Sequence, residues 1–172
     1  IDDTLFQTDT MVHVNKGGKR IKSLTPAEFN VYRIRNGESL DFSDFRSAEV
    51  FARTAKPITN VFRTAKNIIS KFSAYAQKKI VIVTARADLD DKHVFLDTFR
   101  KYGFDIDKVH VHRAGNIGGG SAANKKIVIR DLMKAADYKA VRLFDDAKSN
   151  LDAFMELQDE FPGTAFEAFF VD

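Results

Sequence analysis

Four short stretches carry the residue types that phosphate or metal chemistry needs. They are Asp2-Asp3-Thr4 at the start, Thr84 at the end of an apolar run, Lys125-Lys126 near a helix start, and Asp145-Asp146 late in the chain. Carboxylates brought from separate strands, in a chain without cysteine, favour a hard oxygen-loving cation such as Mg²⁺. A threonine hydroxyl can hydrogen-bond a phosphoryl oxygen, and a lysine can neutralise another. Such a set suits transfer of a dianionic phosphoryl group, where positioning and charge stabilisation do most of the catalysis.

The elements that must position these groups can be read from periodicity. Lys79 to Thr84 is β-branched nearly throughout, which predicts a strand buried on both faces. Val109 to His112, Ala140 to Phe144 and Phe166 to Val171 predict further strands. Helical spacing marks Pro57–Ala76, a segment carrying Val94, Phe95, Phe99 and Tyr102 with a Gly103 stop, Ala122–Ala136, and Asn150–Phe161. This alternation predicts an α/β fold with a mostly parallel sheet, helices on both faces and right-handed crossovers. Ligands then bind beyond the carboxyl ends of the strands, where Asp2, Thr84 and Asp145-Asp146 fall.

The stretch before Lys79 is too long for one crossover and must hold an insertion. Met11 to Lys22, alternating around Asn15-Lys16-Gly17-Gly18, predicts a β-hairpin with a basic exposed face. His13 reads as a surface strand residue, because no second histidine or carboxylate stands at ligand spacing beside it. Thr25-Pro26-Ala27-Glu28 is a helix start, and Ser39–Lys56 reads as irregular with helical pieces.

Bulk composition narrows the classes. At 172 residues, 44% hydrophobic and 30% charged, the chain has the size and balance of one globular domain. No apolar run approaches the roughly 20 residues of a membrane helix, and no basic-then-apolar leader is visible. The lack of cysteine excludes disulfides and thiolate nucleophiles, and points to a cytoplasmic home. Net charge is only +3, yet Met11–Arg86 holds 15 Lys/Arg against 5 Asp/Glu, while Asp145–Asp172 holds 8 acids and one base. Those runs are either solvated faces or a basic rim that draws in a polyanionic substrate.

Taken in order, Asp2-Asp3-Thr4-Leu5, Ile80-Val81-Ile82-Val83-Thr84, Lys125/Lys126 and Leu143-Phe144-Asp145-Asp146 resemble the four motifs of the haloacid dehalogenase (HAD) superfamily of phosphohydrolases. The resemblance covers essentially the whole chain. It implies a single HAD-like domain over 1–172 with a three-layer, Rossmann-like sheet, a flap hairpin at 6–24 and a small cap at 25–56. It also implies a Mg²⁺-dependent phosphomonoesterase acting through an aspartyl-phosphate. The nucleophilic aspartate of the first motif is expected immediately before Ile1, with Asp2 as the general acid/base whose main-chain carbonyl contacts Mg²⁺. Asp145 and Asp146 are the implied acidic metal residues, and Thr84 with a lysine the implied phosphate holders; Lys125 is favoured, because Val128, Ile129 and Leu132 follow it on the same helical face, with Lys126 the close alternative. Thr4, Arg86, Lys19 and Arg20 are expected substrate contacts. The basic flap and cap point to a nucleotide or nucleic-acid phosphate end rather than a sugar phosphate, with no membrane and no obligate protein partner.

Other readings compete. Gly115 to Ala122 spaces glycines as a P-loop does but lacks the Lys-Ser/Thr that follows, and reads as a flexible loop near substrate. A receiver domain uses similar residues in another order, in which the phospho-acceptor precedes the threonine and a lysine comes last. The alternative of a different class is a phosphate- or nucleic-acid-binding module without catalysis on the same fold.

Overall fold

Two parallel strand pairs carry the carboxyl ends on which the site is built. Their description comes from a computed structural model covering residues 1–118 and 120–172, so Gly119 of the glycine-rich loop lies outside the described residues. The strand β6 (Val81–Thr84) pairs in parallel with β7 (His110–Arg113), and β8 (Ala140–Asp145) pairs in parallel with β9 (Ala165–Phe170). Between β6 and β7 runs helix α5 (Lys92–Lys101), and between β8 and β9 runs α7 (Lys148–Met155), continued by a 3₁₀ turn at Glu156–Glu160. Helix α6 (Ser121–Lys134) connects the two pairs. The expected α/β character therefore holds. A single three-layer sheet is not formed, because β6 and β8 are not hydrogen-bonded to each other or to a common strand among the described residues.

The amino-terminal part builds a separate antiparallel sheet in the order β3-β2-β4, from β2 (Val12–Lys16), β3 (Lys19–Leu24) and β4 (Glu38–Asp41). The hairpin turn takes positive φ at both Gly17 (58°) and Gly18 (74°), the conformation that a two-residue primed turn requires. β4 was hidden in the irregular stretch, because Ser39-Leu40-Asp41 has too few β-formers to signal a strand. The helix start at Thr25 is a full capping box: Thr25 Oγ1 accepts from Glu28 N, and Glu28 reaches back to Thr25 N, opening α1 (Pro26–Val31). Short helices α2 (Ser43–Arg46) and α3 (Ala48–Thr54) follow, then α4 (Thr59–Phe72). Pro57 belongs to a two-residue strand β5 (Lys56–Pro57) that pairs with β1 (Phe6–Gln7), so the helix begins after it.

Each strand pair has its own core. Phe6, Phe51, Phe62, Phe95, Phe99 and Phe104 form an aromatic cluster against β6 and β7, with Phe6 meeting Phe51, Phe62 and Phe99 edge-on at 5.4, 5.1 and 5.0 Å between centroids. Ile129, Met133, Phe154, Leu157 and Phe166 form the second core against β8 and β9. No helix among the described residues is long and apolar enough to cross a membrane.

Candidate active site

The first six residues form a hook rather than the end of a strand. Leu5 N and Phe6 N both donate to Ile1 O, Asp3 N donates to Phe6 O, and Asp3 takes a left-handed φ of 55°. This folds Asp2 and Thr4 to opposite partners. Asp2 meets the residues that follow β6, whereas Thr4 meets those that follow β8.

On the β6 side, Arg86 grips Asp2 with both carboxylate oxygens engaged: Nε donates to Oδ2 at 2.9 Å and Nη2 to Oδ1 at 2.6 Å. Arg86 is only 2% exposed, and it also donates through Nη2 to Thr10 Oγ1 at 3.0 Å and through Nη1 to the Phe45 carbonyl at 2.9 Å. Its guanidinium also lies over the rings of Phe45 and Phe51. Thr8 Oγ1 donates to Asp2 Oδ1, and Thr10 Oγ1 donates to Thr8 Oγ1, closing a polar ring. Burial alone would raise the Asp2 pKa, but the Arg86 hydrogen bonds and charge outweigh it and hold the carboxyl below its ordinary value.

Arg86 is placed by close backbone packing. Gly115 sits so near the residues after β6 that a Cβ there would lie 2.3 Å from Ala85 O and 2.6 Å from Ala87 N. Asn116 Oδ1 accepts from Asp88 N at 3.0 Å. The start of the glycine-rich stretch is therefore a 3₁₀ turn (Ala114–Asn116) clamped against the Arg86 loop. This corrects the expectation of a free loop for those residues.

On the β8 side, Lys125 Nζ donates to Asp145 Oδ2 at 2.7 Å, with both side chains at most one-tenth exposed. Asp145 Oδ1 accepts from Asn150 Nδ2 at 2.7 Å and from Ala147 N at 3.0 Å. Burial pushes the Asp145 pKa up, and the Lys125 charge and these hydrogen bonds bring it below its ordinary value. Asp146 Oδ1 accepts from Thr4 Oγ1 at 2.6 Å. Asp3 is exposed, and its pKa is raised by partial burial and by the charges of Asp146 and Asp2. The charges of Asp2 and Asp146 thus act on Asp3.

The structure brings together Asp2, Thr4, Arg86, Lys125, Asp145 and Asp146 through these contacts. Thr84 is buried at the end of β6, where its hydroxyl accepts from Arg86 N at 3.2 Å. Between the two lysines the geometry is decisive about placement: Lys125 points into the acid cluster, while Lys126 pairs with Glu156 at the surface. Lys19 and Arg20 are exposed on the hairpin, Arg20 lying 3.9 Å from Asp41, and among the described residues no hydrogen bond or ion pair joins either to the cluster. His13 corrects its expectation: it is 4% exposed, with Nδ1 2.8 Å from Ser23 Oγ and Nε2 3.1 Å from Asp44. Asp44 lies 31 residues away in sequence, beyond any local spacing rule. Thr8, Thr10 and Asn150 were missed. Only Asn150 had a signal, standing one helical turn after an acid pair.

Among the described residues, no group of three or more histidine, cysteine or acidic side chains is arranged to hold a metal ion. The donor set is nonetheless of the kind that suits Mg²⁺, which keeps several waters and needs only one or two carboxylates besides substrate oxygens. Comparison with family models, curated proteins and solved structures finds no match to the chain.

Proposed function

We propose that the chain is a HAD-like, Mg²⁺-dependent phosphomonoesterase acting on a nucleotide or nucleic-acid phosphate end. The observation that carries this reading is the buried Lys125–Asp145 pair standing beside Asp146, which Thr4 ties to the hook that bears Asp2. An acid cluster with one buried lysine, set beyond two strand ends, suits a phosphoryl group flanked by a cation. Asp145 and Asp146 would hold Mg²⁺ together with the Asp2 carbonyl, and the ion would neutralise phosphate charge.

The attacking carboxylate would be that of the aspartate which the resemblance implies immediately before Ile1. Its oxygen bonds to phosphorus as the P–O bond to the leaving alcohol breaks, and Asp2 gives that oxygen a proton. Water then attacks the aspartyl-phosphate, Asp2 takes the proton back, and inorganic phosphate leaves. Asp2 must therefore carry a proton in one step and lack it in the next. Arg86 favours the ionised form, so the Asp2–Arg86 pair is the resting arrangement. A dianionic phosphate competes with Asp2 for the guanidinium and frees Asp2 to be protonated. Lys125 offsets charge on the phosphate and holds Asp145 in place. The exposed cations of the hairpin, Lys16, Lys19, Arg20 and Lys22, support a polyanionic substrate through long-range attraction.

The test is phosphate release from 3′- and 5′-phosphorylated oligonucleotides, mononucleotides and sugar phosphates in Mg²⁺. The protein bearing aspartate before Ile1 is compared with the same protein bearing asparagine there. Release by the aspartate form alone, lost in Lys125→Met, is expected. No release from any substrate would sink the phosphatase reading and leave the binding module. Indifference to every nucleic substrate, with turnover of sugar phosphates, would sink the nucleotide part.

A further inference from the structure

Away from the acid cluster, the hairpin sheet holds a second constellation of reactive side chains. His13 of β2 and Ser23 of β3 stand opposite each other in the ladder, and Ser23 Oγ lies 2.8 Å from His13 Nδ1. The other ring nitrogen, Nε2, lies 3.1 Å from Asp44 Oδ1 of α2. The second Asp44 oxygen accepts from Met11 N at 3.2 Å, which holds the carboxylate in place.

The order of these contacts decides which nitrogen carries the proton. A carboxylate only accepts hydrogen bonds, so Nε2 bears the ring hydrogen and donates it to Asp44. Nδ1 then presents its lone pair to Ser23, whose hydroxyl donates. Burial separates the roles: His13 is 4% exposed, whereas Ser23 faces solvent. A surface hydroxyl backed by a buried base, which a carboxylate orients in turn, is the relation that activates a serine nucleophile.

The surroundings suit an acyl donor. β3 is an edge strand of its sheet, so alternate main-chain N–H groups point outward and are open to a developing oxyanion. Arg20 pairs with Asn15, two residues beyond His13, which puts it on the same face as Ser23. Its guanidinium is half-exposed and approaches Asp41 only to 3.9 Å, so its charge is at hand for the same oxyanion. Ile21, left without a ladder partner where the register shifts, is 53% exposed and offers apolar surface to a short acyl chain.

We propose that Ser23, His13 and Asp44 form a second reactive site, which hydrolyses short-chain carboxylic esters. Ser23 Oγ bonds to the acyl carbon as its proton passes to His13 Nδ1. The C–O bond to the alcohol then breaks, and the leaving oxygen takes that proton. Water attacks the acyl-serine and gives a proton to Nδ1, which returns it to Ser23 Oγ as the carboxylic acid leaves. Asp44 touches no reacting atom and is a positioning residue: it holds the tautomer and offsets the imidazolium charge that forms in each half of the cycle. The site shares no residue with the acid cluster and works whether or not that cluster is catalytic.

The experiment follows p-nitrophenyl acetate hydrolysis by the 172-residue chain, together with labelling by a fluorophosphonate probe mapped by peptide mass spectrometry. The probe is expected on Ser23. Hydrolysis is expected to fall to the uncatalysed rate in Ser23→Ala and by at least about tenfold in His13→Gln. Asp44→Asn is expected to slow the reaction and to move the midpoint of its pH–rate profile, which a purely structural role would leave in place. If His13→Gln unfolds, the unmutated protein decides: its rate must rise with pH in step with deprotonation of the His13 ring, followed by NMR, in the field of Asp44, Asp41 and Arg20. Full hydrolysis in Ser23→Ala, a probe that leaves Ser23 unmodified, or a rate that does not track the His13 titration would each overturn the proposal.

Discussion

Replacing Lys125 by methionine isolates the charge at the centre of the candidate site, because the stem is kept and only the ammonium is lost. Asp145 would remain 3% exposed, with Asn150 and Ala147 still donating to Oδ1 but nothing on Oδ2. Breaking a buried ion pair by removing one partner costs about 3–5 kcal/mol. The two surviving hydrogen bonds place Lys125→Met at the low end, about 3 kcal/mol. For a chain of this size that corresponds to a fall in Tm of roughly 6–12 °C. Lys126→Met is the control: its pair with Glu156 is exposed on the glutamate side and is worth about 0–1 kcal/mol. Urea unfolding at pH 7, with constant m-values, reads both. Adding Asp145→Asn to Lys125→Met removes the stranded charge, so the double variant should recover about 1–3 kcal/mol relative to additivity. Equal costs for the two lysines, or strict additivity of Lys125→Met with Asp145→Asn, would refute the reasoning.

Three further outcomes follow from the same contacts. Phe6→Ala empties the centre of the aromatic cluster and should cost about 3–5 kcal/mol in urea unfolding, among the largest losses from any single truncation. Gly115→Ala drives a Cβ into the backbone at Ala85 and Ala87. It should destabilise by at least about 1–3 kcal/mol and shift the Arg86 side-chain NMR signals, whereas Gly120→Ala, with nothing within 4 Å, should leave those signals in place. Asp2 and Asp145 both have folded pKa values below the ordinary one, so each contributes stability above an unfolded pKa of about 3.9. That contribution is lost as pH falls through the folded values. Arg86→Gln should therefore raise the carboxyl ¹³C titration midpoint of Asp2 and make the acid limb of the stability profile shallower; an unmoved midpoint would show that Arg86 does not set the ionisation of Asp2.

What was legible in the sequence was what depends on local pattern. The β-branched run to Thr84, the helix phase of Ile127 to Met133 and the Thr25–Glu28 capping box each follow from neighbours in the chain, and each stands where expected within a few residues. What was not legible depends on long-range pairing. β4 is held as a strand by β2, from His13–Asp41 to Lys16–Glu38, and its own residues carry no such preference. His13 becomes buried because Asp44 and Ser23 arrive from other elements. The role of Gly115 comes from contact with residues almost 30 positions earlier, so glycine content suggested freedom where the fold imposes close packing. Lys125 and Lys126 are adjacent and chemically alike; the apolar phase of Val128, Ile129 and Leu132 favoured Lys125, and it is Lys125 that meets Asp145.

The hook at residues 1–6 explains why the site and the fold are hard to separate in this molecule. Among the described residues the two strand pairs share no ladder, so the polar links from Asp2 to Arg86 and from Thr4 to Asp146 tie both of their carboxyl ends to one short segment. An arginine that is nearly fully buried and donates four side-chain hydrogen bonds stabilises the ionised Asp2, and so would work against the acid role proposed for it. Under the proposed function, a phosphate that attracts the same guanidinium would loosen one of the two links while it supplies charge to replace it. Binding and opening of the hook are then one event, with the Lys125–Asp145 pair, on the other strand pair, left undisturbed to hold the remaining half. In that arrangement anion binding should be weaker than the count of nearby cations suggests, because part of the attraction is spent on displacing Asp2. Phosphate titration followed at the Arg86 and Lys125 side chains would separate the two halves: Arg86 signals should move with the Asp2 carboxyl, and the Lys125–Asp145 pair should stay closed.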